Sequence, residues 1–234
     1  IVPHAYVELH IEQGPVMEAE GVQIGAVQDL QGISWQEITL TGQSNHAGTT
    51  PMRLRRDAGH GAAAIAVFVR DLALRYGGSQ VATVGAIDLH PNLVNVIASR
   101  ARLTVDLRNT DETLLQRAEQ ELWQFVATLA AEQRLTVATL QLVRLQPVCF
   151  DPRLVRIIEA AANARGHCTR RLTSGAGHDA QMMARICPAA MIFVPSAGGI
   201  SHNPREHTDA ADLARGANVL LDVMLALADR KSVV

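Results

Sequence analysis

Between Ser34 and Pro147, segments of hydrophobic period two and period 3.6 follow one another in the order strand, helix, strand, strand, helix, strand, and this order restricts the fold more than any other feature. Ala101, Leu103, Val105 and Leu107 alternate with Arg102, Thr104, Asp106 and Arg108, as a strand with one buried face requires. Leu114, Leu115, Ala118, Leu122, Phe125, Val126 and Leu129 fall on one side of a helix. The pattern predicts strands over 34–42, 80–90, 97–108 and 135–146 and helices over 51–76 and 111–133. Thr50 and Pro51 are read as N-cap and first residue of the earlier helix. A β-α-β-β-α-β order is the ferredoxin-like split unit, a complete small domain, expected here over 33–147.

The flanks look different. Residues 1–32 hold a strand, Ala5 to Leu9, and then a stretch punctuated by Gly14, Gly21 and Gly25. Residues 148–234 read as helix (152–165), strand (168–172), glycine-rich loop (174–178), helix (179–186), strand (189–194), loop, and helix (208–229). Neither flank has strands enough for a sheet of its own. They are expected to join as one α/β domain interrupted by 33–147, and even joined they supply about half of a usual α/β layer set. The chain opens on Ile1-Val2-Pro3, without an initiator Met, and runs at once into a strand, which reads as a cut.

Composition removes several classes. Aromatics are 3% of the 234 residues and the formal net charge is −2, so there is neither a base-stacking surface nor a basic stripe, and no nucleic-acid partner is expected. No apolar run reaches membrane-span length and no signal-like segment opens the chain, so no membrane partner is expected. Cys149, Cys168 and Cys187 form no pair or framework and are read as buried or half-buried free thiols in a reducing, cytoplasmic setting.

Four stretches are dense in reactive groups and glycine. In 8–15, ELHIEQGP, a strand would put Glu8, His10 and Glu12 on one face, and His10 beside a Gly-Pro turn suits a metal ligand, an acid/base or a hydrogen-bonded structural histidine. In Asn45 to Pro51, His46 stands before a predicted helix start, where it could donate to a developing negative charge or be an ordinary loop histidine. Asn95 lies in a turn; Arg108, at a polar strand end, suits a carboxylate but could equally pair with Asp106 or Asp111. Gly175, Gly177, His178 and Asp179, with Gly198, Gly199 and His202 downstream, look like site loops. No G-x-S-x-G, H-E-x-x-H or P-loop motif occurs.

Taken together, ELHIEQGP (8–15), NHAGTTPMRLRRDA (45–58), PNLVNVIASRARLTVDLRN (91–109), SGAGHDAQMMA (174–184) and GGISHNPREHT (198–208) resemble, in order, the hydantoinase/carbamoylase group of amidohydrolases. That group belongs to a larger dinuclear-metal family that includes aminoacylases and carboxypeptidases. The resemblance implies a catalytic α/β domain holding two divalent ions (zinc, manganese, cobalt or nickel), with an inserted ferredoxin-like dimerisation lid. It makes His10 a ligand of one metal and His202 a ligand of the other. Gln13 would contact the carbamoyl end of the substrate, with Gly177 and His178 as further substrate contacts. His46 would polarise the scissile carbonyl, and Asn95 and Arg108 would grip the carboxylate, all three reaching into a partner subunit's site.

The implied reaction is hydrolysis of the carbamoyl C–N bond of N-carbamoyl-L-amino acids to amino acid, ammonia and carbon dioxide. Allantoate or β-ureidopropionate hydrolysis, and a non-catalytic dimerisation module, are the alternatives. Family members carry a further ligand His, a bridging Asp and a Glu pair upstream of the first motif. Without them the metal site of this chain is expected to be incomplete and the chain inactive alone.

Overall fold

The computed structural model describes residues 3–229, which form two compact units, one of residues up to Gln31 together with those from Val148 on, the other Gly32–Pro147. The chain starts with β1 (Tyr6–Ile11), the short helix α1 (Val16–Glu20) and β2 (Ile24–Leu30). The second unit follows as β3 (Gly32–Thr41), α2 (Ala58–Tyr76), β4 (Val81–His90), β5 (Arg100–Asn109), α3 (Glu112–Gln133) and β6 (Thr136–Leu145). The first unit then resumes with β7 (Val148–Cys149), α4 (Pro152–Ala164), β8 (Thr169–Ser174), α5 (Asp179–Met183), β9 (Ala189–Val194) and α6 (Ala210–Ala228). The α/β fold class expected from the sequence is the one observed. No helix among the described residues is long and apolar enough to cross a membrane.

In the second unit the strand order is β4-β5-β3-β6 with every neighbouring pair antiparallel, the ferredoxin-like arrangement. Ala101, Leu103, Val105 and Leu107 are buried under the two helices, and Leu115, Ala118, Leu122, Val126 and Leu129 meet them from α3. Leu114, assigned to that helix face from the sequence, is 40% exposed.

The start of α2 differs from the expectation. Pro51 leads only into a short 3-10 turn, Met52–Leu54, and α2 begins at Ala58. The cap is Asp57, whose carboxylate accepts the His60 N–H at 3.1 Å. Thr50 caps nothing, because Arg55 draws the intervening loop closed by donating to the carbonyls of Ala47 and Thr50.

The first unit is built on β9, whose six residues are all buried. β9 pairs in parallel with β1 and antiparallel with β2, and β2 pairs on with β8 and β7. Strand β2 was read from the sequence only as a glycine-punctuated stretch. It is a central strand whose first four residues, Ile24 to Val27, are buried on both faces, so they show no alternation. Gly25 is no turn residue: a Cβ there would come within 2.6 Å of Leu172 and 3.1 Å of Phe193. The cysteines also depart from expectation, since Cys149 and Cys168 are exposed and only Cys187 is buried.

Removing an N-cap acceptor costs roughly 1 kcal/mol. Asp57→Ala should therefore lower the stability of the second unit by about that amount, whereas Thr50→Ala should leave it unchanged, read as midpoint shifts in urea titration.

Candidate metal and substrate site

Parallel pairing with β9 sets Glu8 opposite Met191 and His10 opposite Phe193, so both side chains leave the same face of β1, two residues apart. Across from them lies His178, the extended residue before α5. One oxygen of Glu8 is committed, because Oε2 accepts the Ala180 N–H at 2.7 Å and the Tyr6 hydroxyl at 3.4 Å. The other, Oε1, stands 3.6 Å from His178 Nδ1, just beyond hydrogen-bond length. The rings of His10 and His178 meet edge to face with centroids 4.5 Å apart.

The protonation states follow from these contacts. His10 Nδ1 lies 2.8 Å from the carbonyl of Ile11, which can only accept, so Nδ1 carries a proton in this contact. The His178 side chain is 2% exposed and its Nε2 has no hydrogen-bond partner. Burial, and then the neighbouring His10, push the His178 pKa down from 6.5 to about 4, so the ring is neutral at physiological pH. Glu8, His10 and His178 each offer a donor atom within 4.8 Å of the others. Glu12, on the same face of a notional strand, is turned away and accepts the Val16 and Met17 N–H groups at the start of α1.

His202 lies outside this group, exposed on the loop between β9 and α6 with a positive φ of 54°. Glu206 fastens that loop by accepting from the Ser201 hydroxyl and the His202 N–H. Those hydrogen bonds, then the charges of His202 and His10, lower its pKa. Gln13 also has a positive φ, 57°, and is pinned by its N–H donating to the buried Ser196 hydroxyl at 3.0 Å. Gly177 is exposed in the loop between β8 and α5.

In the second unit, His46 and Asn95 come together. His46 forms an isolated antiparallel bridge with Val96, the Ala47 N–H donates to Asn95 O, and Ile97 N–H donates to Asn45 O. His46 Nδ1 accepts the N–H groups of Gly48 at 3.0 Å and Thr49 at 3.3 Å. Its proton is thereby placed on Nε2, at the end of an exposed side chain, as a hydrogen-bond donor. Arg108 is elsewhere. It lies opposite Val81, whereas Arg100, at the Asn95 end of β5, lies opposite His90. Eight residues of strand, about 26 Å, separate Arg108 from Arg100. Its guanidinium grips Asp106 through Nε and Nη2 and lies 5.9 Å from the Trp35 ring centroid.

The model of peptidase family M20/M25/M40 matches residues 2–226. This chain belongs to that family. The N-carbamoyl-L-amino-acid amidohydrolase of Rhizobium meliloti is 38% identical over 226 residues, which is 97% of this chain and 54% of the relative. The allantoate amidohydrolase of Escherichia coli K12 is 39% identical, over 97% of this chain and 55% of the relative. A crystal structure of a hydantoinase/carbamoylase family amidase from Burkholderia multivorans superposes with a TM-score of 0.93 and 46% identity, over 96% of this chain and 55% of that one. The chain thus spans about half the length of the curated relatives it matches.

M20 proteins depend on metal, and the donor chemistry of this M20 chain fits that requirement: two imidazoles and one carboxylate oxygen converge, and one buried ring nitrogen is unpartnered. Sequence reasoning placed Glu8 on the right strand face but assigned it no role. It gave none to Glu206 either, whose only signal was its place in the GGISHNPREHT stretch.

The buried neutral His178 makes stability depend on pH. The unfolded chain takes up this proton below 6.5, and the folded chain only below about 4. The chelator-treated protein should lose stability as pH falls through that window, by ~3 kcal/mol in all if His178 acts alone. Denaturant titrations at a series of pH values would show the slope in the parent and its loss in His178→Gln.

Proposed function

We propose that this M20 chain is the recognition part of a metal-dependent amidohydrolase that cleaves the carbamoyl C–N bond of N-carbamoyl-L-amino acids. The observation that carries the reading is the state of His46: backbone N–H groups occupy Nδ1, leaving an exposed Nε2–H donor of the kind that stabilises an oxyanion. Relatives named as N-carbamoyl-L-amino-acid amidohydrolases, at 38–39% identity, supply the substrate class.

The division of labour is as follows. A divalent ion, zinc, manganese, cobalt or nickel, would supply Lewis acidity for activating water when bound. In a dinuclear arrangement, His10 and His202 would each hold one ion. Gln13, Gly177 and His178 orient the ureido end. His46 donates Nε2–H to the carbonyl oxygen as charge develops on it. Asn95 and Arg108 hold the carboxylate, with Asp106 aligning the guanidinium.

The placement of these groups also favours a homodimer. His46 and Asn95 sit at one end of β5 and Arg108 at the other, so one copy of this unit cannot set all three on one small ureido acid. Two copies sharing each site can, His46 and Asn95 coming from one and Arg108 from the other. Among the described residues the edge strand β4 pairs with β5 alone, and it and the exposed Val67 and Leu74 of α2 offer the surface for such pairing.

Calorimetric titration with N-carbamoyl-L-methionine tests the reading. Binding should be saturable and weaken roughly 10–100-fold in Arg108→Ala, as expected for loss of a charged hydrogen bond. Equal affinity for the corresponding carboxamide would remove Arg108 from the carboxylate role, and a preference for allantoate would move the assignment to the reaction of the Escherichia coli relative.

A further inference from the structure

We infer that the cleft between α3 and β6 of the second unit is a binding site for a small organic ammonium ion. None of its residues takes part in the reaction proposed above, so the two readings stand or fall separately.

Three observations carry it. The first is the cleft itself, of about 450 Å³. Small-molecule sites usually measure about 300–1,000 Å³. Glu119 and Trp123, four residues apart, share one face of α3 and form one wall. The register of β3 with β6 sets Gln141 beside Gln36 and Thr139 beside Ile38. Gln36 and Ile38 are buried under the helices, so Gln141 and Thr139 rise on the same side and form the other wall with Arg144.

The second is Gln36, which lines this cleft and is 2% exposed. Its Nε2 donates to the Ser34 hydroxyl at 2.9 Å, and its Oε1 has no partner. A buried carbonyl oxygen left unpaired is costly, and an N–H donor brought by a ligand would satisfy it.

The third is charge. Arg144 is committed at all three guanidinium nitrogens. Nη2 donates to Glu112 Oε1 at 2.6 Å, Nη1 to Glu112 Oε2 at 3.2 Å and to the Leu145 carbonyl at 3.1 Å, and Nε lies 2.9 Å from Glu119 Oε1. An anion therefore meets no open fork here. Two carboxylates against one guanidinium leave negative charge in excess, and the side chains of Glu119 and Arg144 are only 17% and 23% exposed, so that excess is weakly screened.

An alkylammonium ion matches this lining. It brings three donors and no acceptor. Gln36 Oε1, the Glu119 carboxylate and the side-chain oxygen of Thr139 or Gln141 would accept from it. The half-buried Trp123 ring would cover the alkyl part and offer its face to the charge.

The test is an NMR titration of the whole chain with n-butylammonium chloride at fixed ionic strength. The chain has two tryptophans, Trp35 and Trp123. Trp35 precedes Gln36 and is 39% exposed on the opposite face of the sheet, so it serves as an internal control. The Trp123 indole N–H should shift saturably and that of Trp35 should stay in place, while n-butanol and butyrate should move neither. Glu119→Gln and Gln36→Leu should each weaken binding roughly 10-fold, as loss of an acceptor to a charged donor predicts. The titration of the unmutated protein decides the matter if either variant fails to fold. An unmoved Trp123, equal shifts at both tryptophans, or a response to n-butanol or butyrate as strong as that to the ammonium ion would overturn the assignment.

Discussion

The parallel pairing of β1 with the wholly buried β9 governs what the first unit can do. β9 offers six apolar residues and no chemistry, so its contribution is position. It fixes the height of Glu8 and His10 along β1 to within one residue, and a slip of one residue would turn both to the opposite face. Phe193, fully buried on β9, packs 5.7 Å from the His178 ring and keeps it dry. The neutral state of His178, the unshared nitrogen and the gap beside Glu8 all descend from that one strand register.

The second unit treats its histidine in the opposite way. His46 is exposed, and its electronic state comes from two neighbouring backbone N–H groups, not from burial. The loop that carries it is held at both ends, by the bridge to Val96 and by the Arg55 fork onto Ala47 and Thr50. A donor made in this manner is set by covalent neighbours within three residues, so it travels with the loop wherever the loop goes. A buried ring such as His178 keeps its state only while the surrounding core stays intact.

Much of the fold was legible because its period was visible. Strand β5 has one wet and one dry face, and its alternation is plain in the letters. Strand β2 is buried on both faces from Ile24 to Val27, and a glycine in that stretch looks like punctuation until the crowding by Leu172 and Phe193 is seen. The start of α2 was misplaced because Thr50-Pro51 is a good local signal, and the competing Arg55 hydrogen bonds lie beyond the reach of local propensity. Site residues were legible as types in glycine-rich loops. Their grouping was not: His10 and His178 are far apart in sequence and meet only through the sheet, and Arg108 is separated from Asn95 by the length of a strand that spacing alone does not orient.

The strand that carries Glu8 and His10 is also a margin of the sheet. Among the described residues β1 is paired on one side only, with β9, and its other side presents alternating amide donors and carbonyl acceptors. Chemistry and adhesion are therefore written into the same six residues. Any strand laid against that margin would extend the hydrogen-bonded sheet directly beneath the two side chains.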